Sequence, residues 1–248
     1  MKHNARIFVD QGILVYAGKS CETKEHKHYA IQIGIVLGGI YKLYIDKEEH
    51  TDESFIIHSN IPHKHISIDG ALLCILIDPT TALGHTLISN FPAPYQPLPI
   101  SSKALMDLKD EISHNTHSIA NLKDRIFELL NLAPTEGTTD YRISLLIEKI
   151  SSANTLEINL DTLIKDIPLS KSRIRSLFKE NTGLSIQRYI LWIKIKKAFY
   201  YIMQNQSLSE AAFLAGFADY AHLSRVIHQI SGLDMKTLLK DSYLVQDS

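Results

Sequence analysis

The chain is poor in cysteine: its 248 residues hold only Cys21 and Cys74, far apart and in no metal-binding or redox spacing, which excludes a disulfide framework. Long apolar runs are missing as well. No stretch approaches the roughly 20 apolar residues that a bilayer crossing needs, and the opening MKHNARIFVDQG has no signal-peptide core. A cytoplasmic protein with no membrane partner is therefore expected. The sequence also has no phosphate-binding glycine loop and no nucleophile–base constellation, which argues against most enzyme classes. What remains is globular composition, 45% hydrophobic and 21% charged, enough for one large domain or two ordinary ones.

Net charge is nearly absent too, at −1, but it is unevenly distributed. Residues 1–139 carry 12 basic against 16 acidic side chains, and residues 140–248 carry 14 against 11. Between Lys171 and Lys240 the local balance is 11 basic to 4 acidic. A basic segment joined to an acidic one fits a nucleic-acid reader with a separate sensing or assembly domain; a solvated helix face is the plainer reading of the same charges.

From Ile7 to Asp78 the segments ILVYAG, YAIQIGIVLGG, YKLYID, ESFIIHS and ALLCILID read as short strands separated by turn residues. Their spacing predicts a small antiparallel barrel or sandwich. The four prolines of FPAPYQPLP, residues 91–99, exclude helix or central strand and mark a boundary. Residues 102–113 and 117–132 then carry apolar side chains at helical spacing, which predicts a helical hairpin against the barrel or against a partner subunit. APTEGTTD, residues 133–140, reads as a linker, and helical periodicity resumes at Tyr141 and runs almost to the end.

The strongest signal is an internal repeat. A shift of 49 residues aligns Ser170 with Asp219, Ile174 with Leu223, Leu177 with Val226, Phe178 with Ile227, Gly183 with Gly232 and Leu184 with Leu233. Ser and Asp are helix N-cap types, the apolar positions form one buried stripe, and each glycine sits where a helix can end left-handed. A shorter helical segment precedes each copy, NLDTLIKDI and SLSEAAFLAG. The pattern is a helix-turn-helix, twice: about 159–181 and about 207–231. Residues 186–206 join them as one helix, apolar over more than half its surface, spanning roughly 30 Å, close to the ~34 Å turn of B-DNA.

Residues 156–240 resemble the DNA-binding region of the AraC/XylS family of bacterial transcription regulators. The likeness rests on LSKSRIRSLFKENTGLSIQRYI and on LSEAAFLAGFADYAHLSRVIHQISGLDM, with Gly216-Phe217, Asp219, Ser224-Arg225 and Gly232. Departures are Leu223 and Ile227 for the family's phenylalanines, His228-Gln229 for a basic pair, and Met235 for proline. The resemblance implies an α+β multidomain protein with three parts. Residues 1–100 would form a cupin-like antiparallel β-barrel for effector binding or dimerisation, residues 101–135 a helical dimerisation hairpin, and residues 136–248 an all-α DNA-binding domain with a linker helix between its two motifs. It further implies a transcription regulator of the activator kind, not an enzyme, with double-stranded DNA, a second protomer, a small-molecule effector and RNA polymerase as partners.

The first motif's face off the buried stripe holds Lys171, Ser172, Arg173, Arg175, Ser176 and Lys179. Arg173 or Arg175 suits a guanine edge and Lys179 a phosphate. The second motif offers Tyr220, Ala221, His222, Ser224, Arg225, His228 and Gln229, a weaker electrostatic grip, with interhelical packing as the alternative role of Tyr220 and His222. Lys194, Lys196 and Lys197 on the linker helix either flank the DNA or form a solvated face. In the barrel, the pairs His26-x-His28 and His63-x-His65 read as ordinary core or surface histidines and no metal is expected. A metal site on these four, with Gln32 in place of the glutamate usual in cupins, is the alternative. Two rival functions follow: a metal-dependent cupin enzyme with a helical assembly domain, and a regulator that has lost DNA binding.

Overall fold

The computed structural model describes residues 5–10, 12–19, 22–114, 122–133, 139–156, 158–239 and 242–244. The chain divides into two compact units, residues 1–136 with 227–248, and residues 137–226.

The first unit is built on strands β1 (Ala5–Asp10), β2 (Ile13–Lys19), β3 (Ile31–Ile45), β4 (Glu48–His50), β5 (Ser54–Ile57) and β6 (His63–Ile77), then helix α1 (Ala82–Asn90), β7 (Tyr95–Pro97), and helices α2 (Ser102–His114) and α3 (Leu122–Leu129). They form one sheet in the order β7-β5-β3-β6-β2-β1-β8, with β4 added on β3. Every pairing is antiparallel except that of β1 with β8 (Ser242–Leu244), which is parallel. The antiparallel N-terminal layer is thus as expected, but two features differ. The segments 29–39 and 41–46 are a single 15-residue strand, β3, whose pairing with β6 shifts register on both sides of Gly38. The irregularity bends the strand without ending it. Asp46 and Lys47, both at positive φ, then form the two-residue hairpin to β4 that right-twisted strands prefer.

The sheet has two apolar faces. Ile13, Val15, Ile33, Ile35, Leu73 and Ile75 pack with Leu83 and Leu87 of α1, Leu105 and Leu108 of α2, and Ile126 of α3. Val36, Tyr41, Leu43, Ile45, Phe55 and Ile57 make the other. Helices α2 and α3 of the predicted hairpin thus bury Leu105, Leu108 and Ile126 against their own sheet, the first of the two expected options, while the turn between them lies outside the described residues. Helix α1 was not foreseen. Thr81 caps it by accepting from the Gly84 amide, and a Cβ at Gly84 would lie 2.5 Å from the Asp78 carbonyl oxygen, so the helix starts where backbone meets backbone. The proline stretch supplies only the short edge strand β7.

The second unit contains α4 (Tyr141–Ser152), α5 (Leu160–Ile164), α6 (Lys171–Thr182), α7 (Ile186–Met203) and α8 (Leu208–Leu214). Helix α9 (Tyr220–Ser231) crosses between the units after Val226, and α10 (Met235–Leu239) follows it. Helix α7 stops at Met203, three residues short of the expected end, because Asn205 adopts positive φ. Its buried residues Tyr189, Trp192, Ile193, Ile195, Ala198, Phe199 and Ile202 lie on more than one face, as the sequence suggested for a helix packed on several sides. Among the described residues, no helix is long and apolar enough to cross a membrane.

Candidate nucleic-acid interface

Both motifs are built from the same local chemistry. Ser170 accepts from the Arg173 amide at 3.2 Å to start α6, and Asp219 accepts from the His222 amide at 2.6 Å to start α9. Gly183 and Gly232 follow the helices with φ of 72° and 67°, each donating its amide to a carbonyl four residues back. The duplication extends beyond the residues first aligned. Thr182 and Ser231 each donate their hydroxyl to the carbonyl four residues earlier and accept from the amide of Leu184 or Leu233. Ser185 then caps α7 and Asp234 caps α10, both through the amide three residues on. Ile174, Phe178, Leu223 and Ile227 are buried, and Phe178 packs edge-on against Tyr189 with centroids 5.6 Å apart.

With the apolar stripe buried, the rest of α6 turns outward. Lys171, Ser172, Arg173, Arg175, Ser176 and Lys179 are all exposed. Two of these cations already have partners: Lys171 pairs with Asp161 at 2.5 Å and Arg173 with Glu180 at 3.2 Å. Glu180 also accepts from Ser176 at 2.7 Å. Among the described residues Arg175 and Lys179 form no ion pair, which leaves them the readily available charges on this face.

Helix α9 presents a different surface. Ala221, Arg225 and Gln229 are exposed, while Tyr220, His222, Ser224 and His228 are half-buried. The His222 ring stands edge-on to Phe217, in the turn before α9, with centroids 5.3 Å apart. Ser207 and Glu210 form a reciprocal capping box at the start of α8, a helix start signal.

The lysines of α7 are a correction. Lys194 donates to the Gly216 carbonyl at 2.7 Å and Lys197 to the Ala153 carbonyl at 2.6 Å, and burial lowers both pKa values from the ordinary lysine range. Lys196 lies over the Trp192 ring, 5.8 Å from its centroid. Lys194 and Lys197 tie loops of the second unit to α7, and their carbonyl partners, 22 and 44 residues away, left no local trace in the sequence. Gly216 is held tightly here: a Cβ would sit 2.7 Å from the Thr155 oxygen.

In the first unit the four histidines singled out in the sequence come together, all buried. His26 and His63 exchange both main-chain hydrogen bonds as an isolated bridge. His26, His28 and His63 bring ligand nitrogens within 4.8 Å of one another. His65 is held instead by Tyr41 and by the Gln32 side chain, which also reaches His28.

Residues 163–241 match the family model described as a helix-turn-helix domain. Among characterised proteins the chain is 28% identical over 89 residues to the transcriptional activator RhaS of Shigella boydii, covering 36% of this chain and 32% of that one. It is 27% identical over 108 residues to the Msm operon regulatory protein of Streptococcus mutans, covering 43% and 38%. The chain thus spans about a third of the length of these relatives. Among solved structures, apo ToxT from Vibrio cholerae shares the fold, with a TM-score of 0.63 at 15% identity over 93% of this chain and 98% of that one. Through residues 163–241, the chain is thus similar to the helix-turn-helix domain of AraC/XylS-type transcription regulators.

Proposed function

We propose that this protein is a sequence-specific transcription regulator that sets α6 and α9 into successive major grooves of double-stranded DNA, under control of a small effector held by the first unit. The observation carrying this reading is the twofold capped helix with its stripe inward and its polar face outward. On α6, Arg175 reads a base edge and Arg173 joins it once DNA displaces Glu180. Lys171, Ser172, Ser176 and Lys179 hold phosphates. On α9, Arg225 and Gln229 reach the groove with Ala221 against a thymine methyl, and Tyr220, His222, Ser224 and His228 line its edge. Helix α7, with 18 residues, spans about 27 Å, of the order of one helical turn of DNA. Residues 1–100, 101–135 and 136–248 act as effector barrel, assembly hairpin and reader, and exposed Met106 belongs to the surface offered to a second protomer. RNA polymerase is the partner on the promoter.

The expected footprint is two protected half-sites about 10 base pairs apart on one face of the duplex, read by hydroxyl-radical footprinting on genomic fragments captured by the full chain. Protection of one groove only would sink the two-helix reading. The rival metal-dependent enzyme is tested by assaying for turnover; the relatives named above are regulators.

A further inference from the structure

The histidine cluster has the geometry of a metal site. His26 Nδ1 lies 2.9 Å from the Lys24 carbonyl oxygen, His28 Nδ1 2.9 Å from that of Ala30, and His63 Nδ1 2.8 Å from that of Ile61. A carbonyl only accepts, so each Nδ1 donates; in neutral His26 and His63 rings this leaves Nε2 as a lone pair, whereas His28 Nε2 faces the Gln32 Oε1 acceptor. Main-chain carbonyls gripping the far nitrogen are what orients metal-ligating imidazoles.

One nitrogen has nothing to bind. His63 is 1% exposed, and its Nε2 has no hydrogen-bond partner among the described residues. A buried unsatisfied group of this kind calls for a ligand or a cost. His28 Nε2 lies 2.9 Å from Gln32 Oε1, to which it would have to donate; an ion would displace that contact, with the ring proton kept on Nδ1 toward the Ala30 carbonyl. His65 has both ring nitrogens engaged, by Tyr41 and Gln32, so it supports the site from behind. The donor set is all imidazole with no carboxylate. That favours zinc, cobalt, nickel, copper or iron over magnesium, calcium or manganese.

The cluster is linked to a helix end. Lys24, whose carbonyl holds His26, donates its amide to the Gly232 carbonyl at 3.1 Å. A Cβ at Gly232 would lie 2.5 Å from the Lys24 oxygen and 2.9 Å from His26 Nδ1. Gly232 closes α9, the continuous helix that carries Ala221, Arg225 and Gln229. We propose that His26, His28 and His63 bind one divalent first-row transition-metal ion through their Nε2 atoms, and that this ion is the regulator's effector, signalling to α9 through Lys24 and Gly232. The metal half stands on the cluster alone; the effector role rests on the regulator reading.

Cobalt(II) titration of the chelator-treated full chain tests the site, because cobalt bound by imidazoles absorbs in the visible. The expected result is a band that saturates at one equivalent and is displaced by zinc. It is lost in His63→Phe, which keeps a buried ring, and in His26→Ala, each shown folded by circular dichroism. His65→Ala keeps the band with affinity about 10- to 100-fold weaker. Absence of a saturating band, or its persistence in folded His63→Phe and His26→Ala, overturns the proposal. Hydrogen exchange tests the signal without DNA: loading with zinc should slow exchange of the amides near the end of α9, including Gly232, by at least severalfold, and only in the wild-type chain. Metal binding with unchanged exchange there overturns the effector role. Neither readout requires DNA, so loss of footprinting, which would count against the regulator reading, is a separate result.

Discussion

Helices α6 and α9 share a scaffold and differ in surface. Each has a side-chain cap at its start, a hydroxyl that satisfies the last turn, a left-handed glycine and a second cap directly after. These are requirements of the backbone, and both copies keep them. The outward faces are under no such requirement. On α6 they are basic, and on α9 they hold one arginine among neutral groups. The two copies share what folds them and differ in the surface they would present to DNA, so folding and affinity should be separable by mutation.

The largest effect should come from the shared scaffold. Phe178 is fully buried against Tyr189, and Phe178→Ala should cost about 3–5 kcal/mol, seen as an earlier urea midpoint. A loss below about 1 kcal/mol would mean that α6 is not anchored through this ring. The paired glycines sharpen the comparison. An alanine at left-handed φ costs about 1–2 kcal/mol, and at Gly183 that is the whole expectation, since nothing lies within 4 Å of the added Cβ. At Gly232 the same change also drives a Cβ into the Lys24 carbonyl. Gly232→Ala should therefore be clearly the more destabilising of the two. Equal melting shifts would show that the end of α9 does not press on Lys24.

How much of this was legible in the sequence depended on whether the determinant was local. Caps, stripes and glycines recur at fixed offsets, so the duplicated reader and its N-terminal boundaries could be read from residues alone. The strands of the first unit were recognisable as strands. That 29–39 and 41–46 are one strand was not, because the Gly38 bulge looks like a turn until its partner β6 is known. Strand β8 is three residues long, too short for alternation to show, and it exists through pairing with β1 at the far end of the chain. Helix α1 was hidden by its glycine and threonines. Lys194 and Lys197 read as free charges because their partners are carbonyls in distant loops. The histidines were visible as two pairs, but only the fold brings His26 against His63.

Next in size come the DNA contacts. Arg175→Ala should weaken binding by about 1–3 kcal/mol and relax base preference within one half-site, measured by fluorescence anisotropy on the footprinted duplex. Arg225→Ala should cost less, since Arg225 is the one arginine of α9 and its neighbours on that face are weaker electrostatic partners for phosphates. A larger loss at Arg225 would reverse the assignment of α6 as the main grip.

The smallest effect tests a side chain that sits among the readers without being one. Glu180 holds Arg173 at 3.2 Å and accepts from Ser176, and both members of the ion pair are half exposed in their side chains. Exposed pairs of this type contribute little to folding, so Glu180→Gln should leave the unfolding midpoint almost unchanged. With α6 facing DNA as proposed, the same substitution removes a negative charge beside the phosphates and frees Arg173 to compete for them. Affinity should rise severalfold at low salt, and the advantage should shrink as salt screens the charge. A gain in affinity without a change in stability would locate Arg173 at the interface by a route that leaves its own side chain intact, whereas unchanged affinity at every salt concentration would leave α6 with Arg175 as its only base-reading arginine.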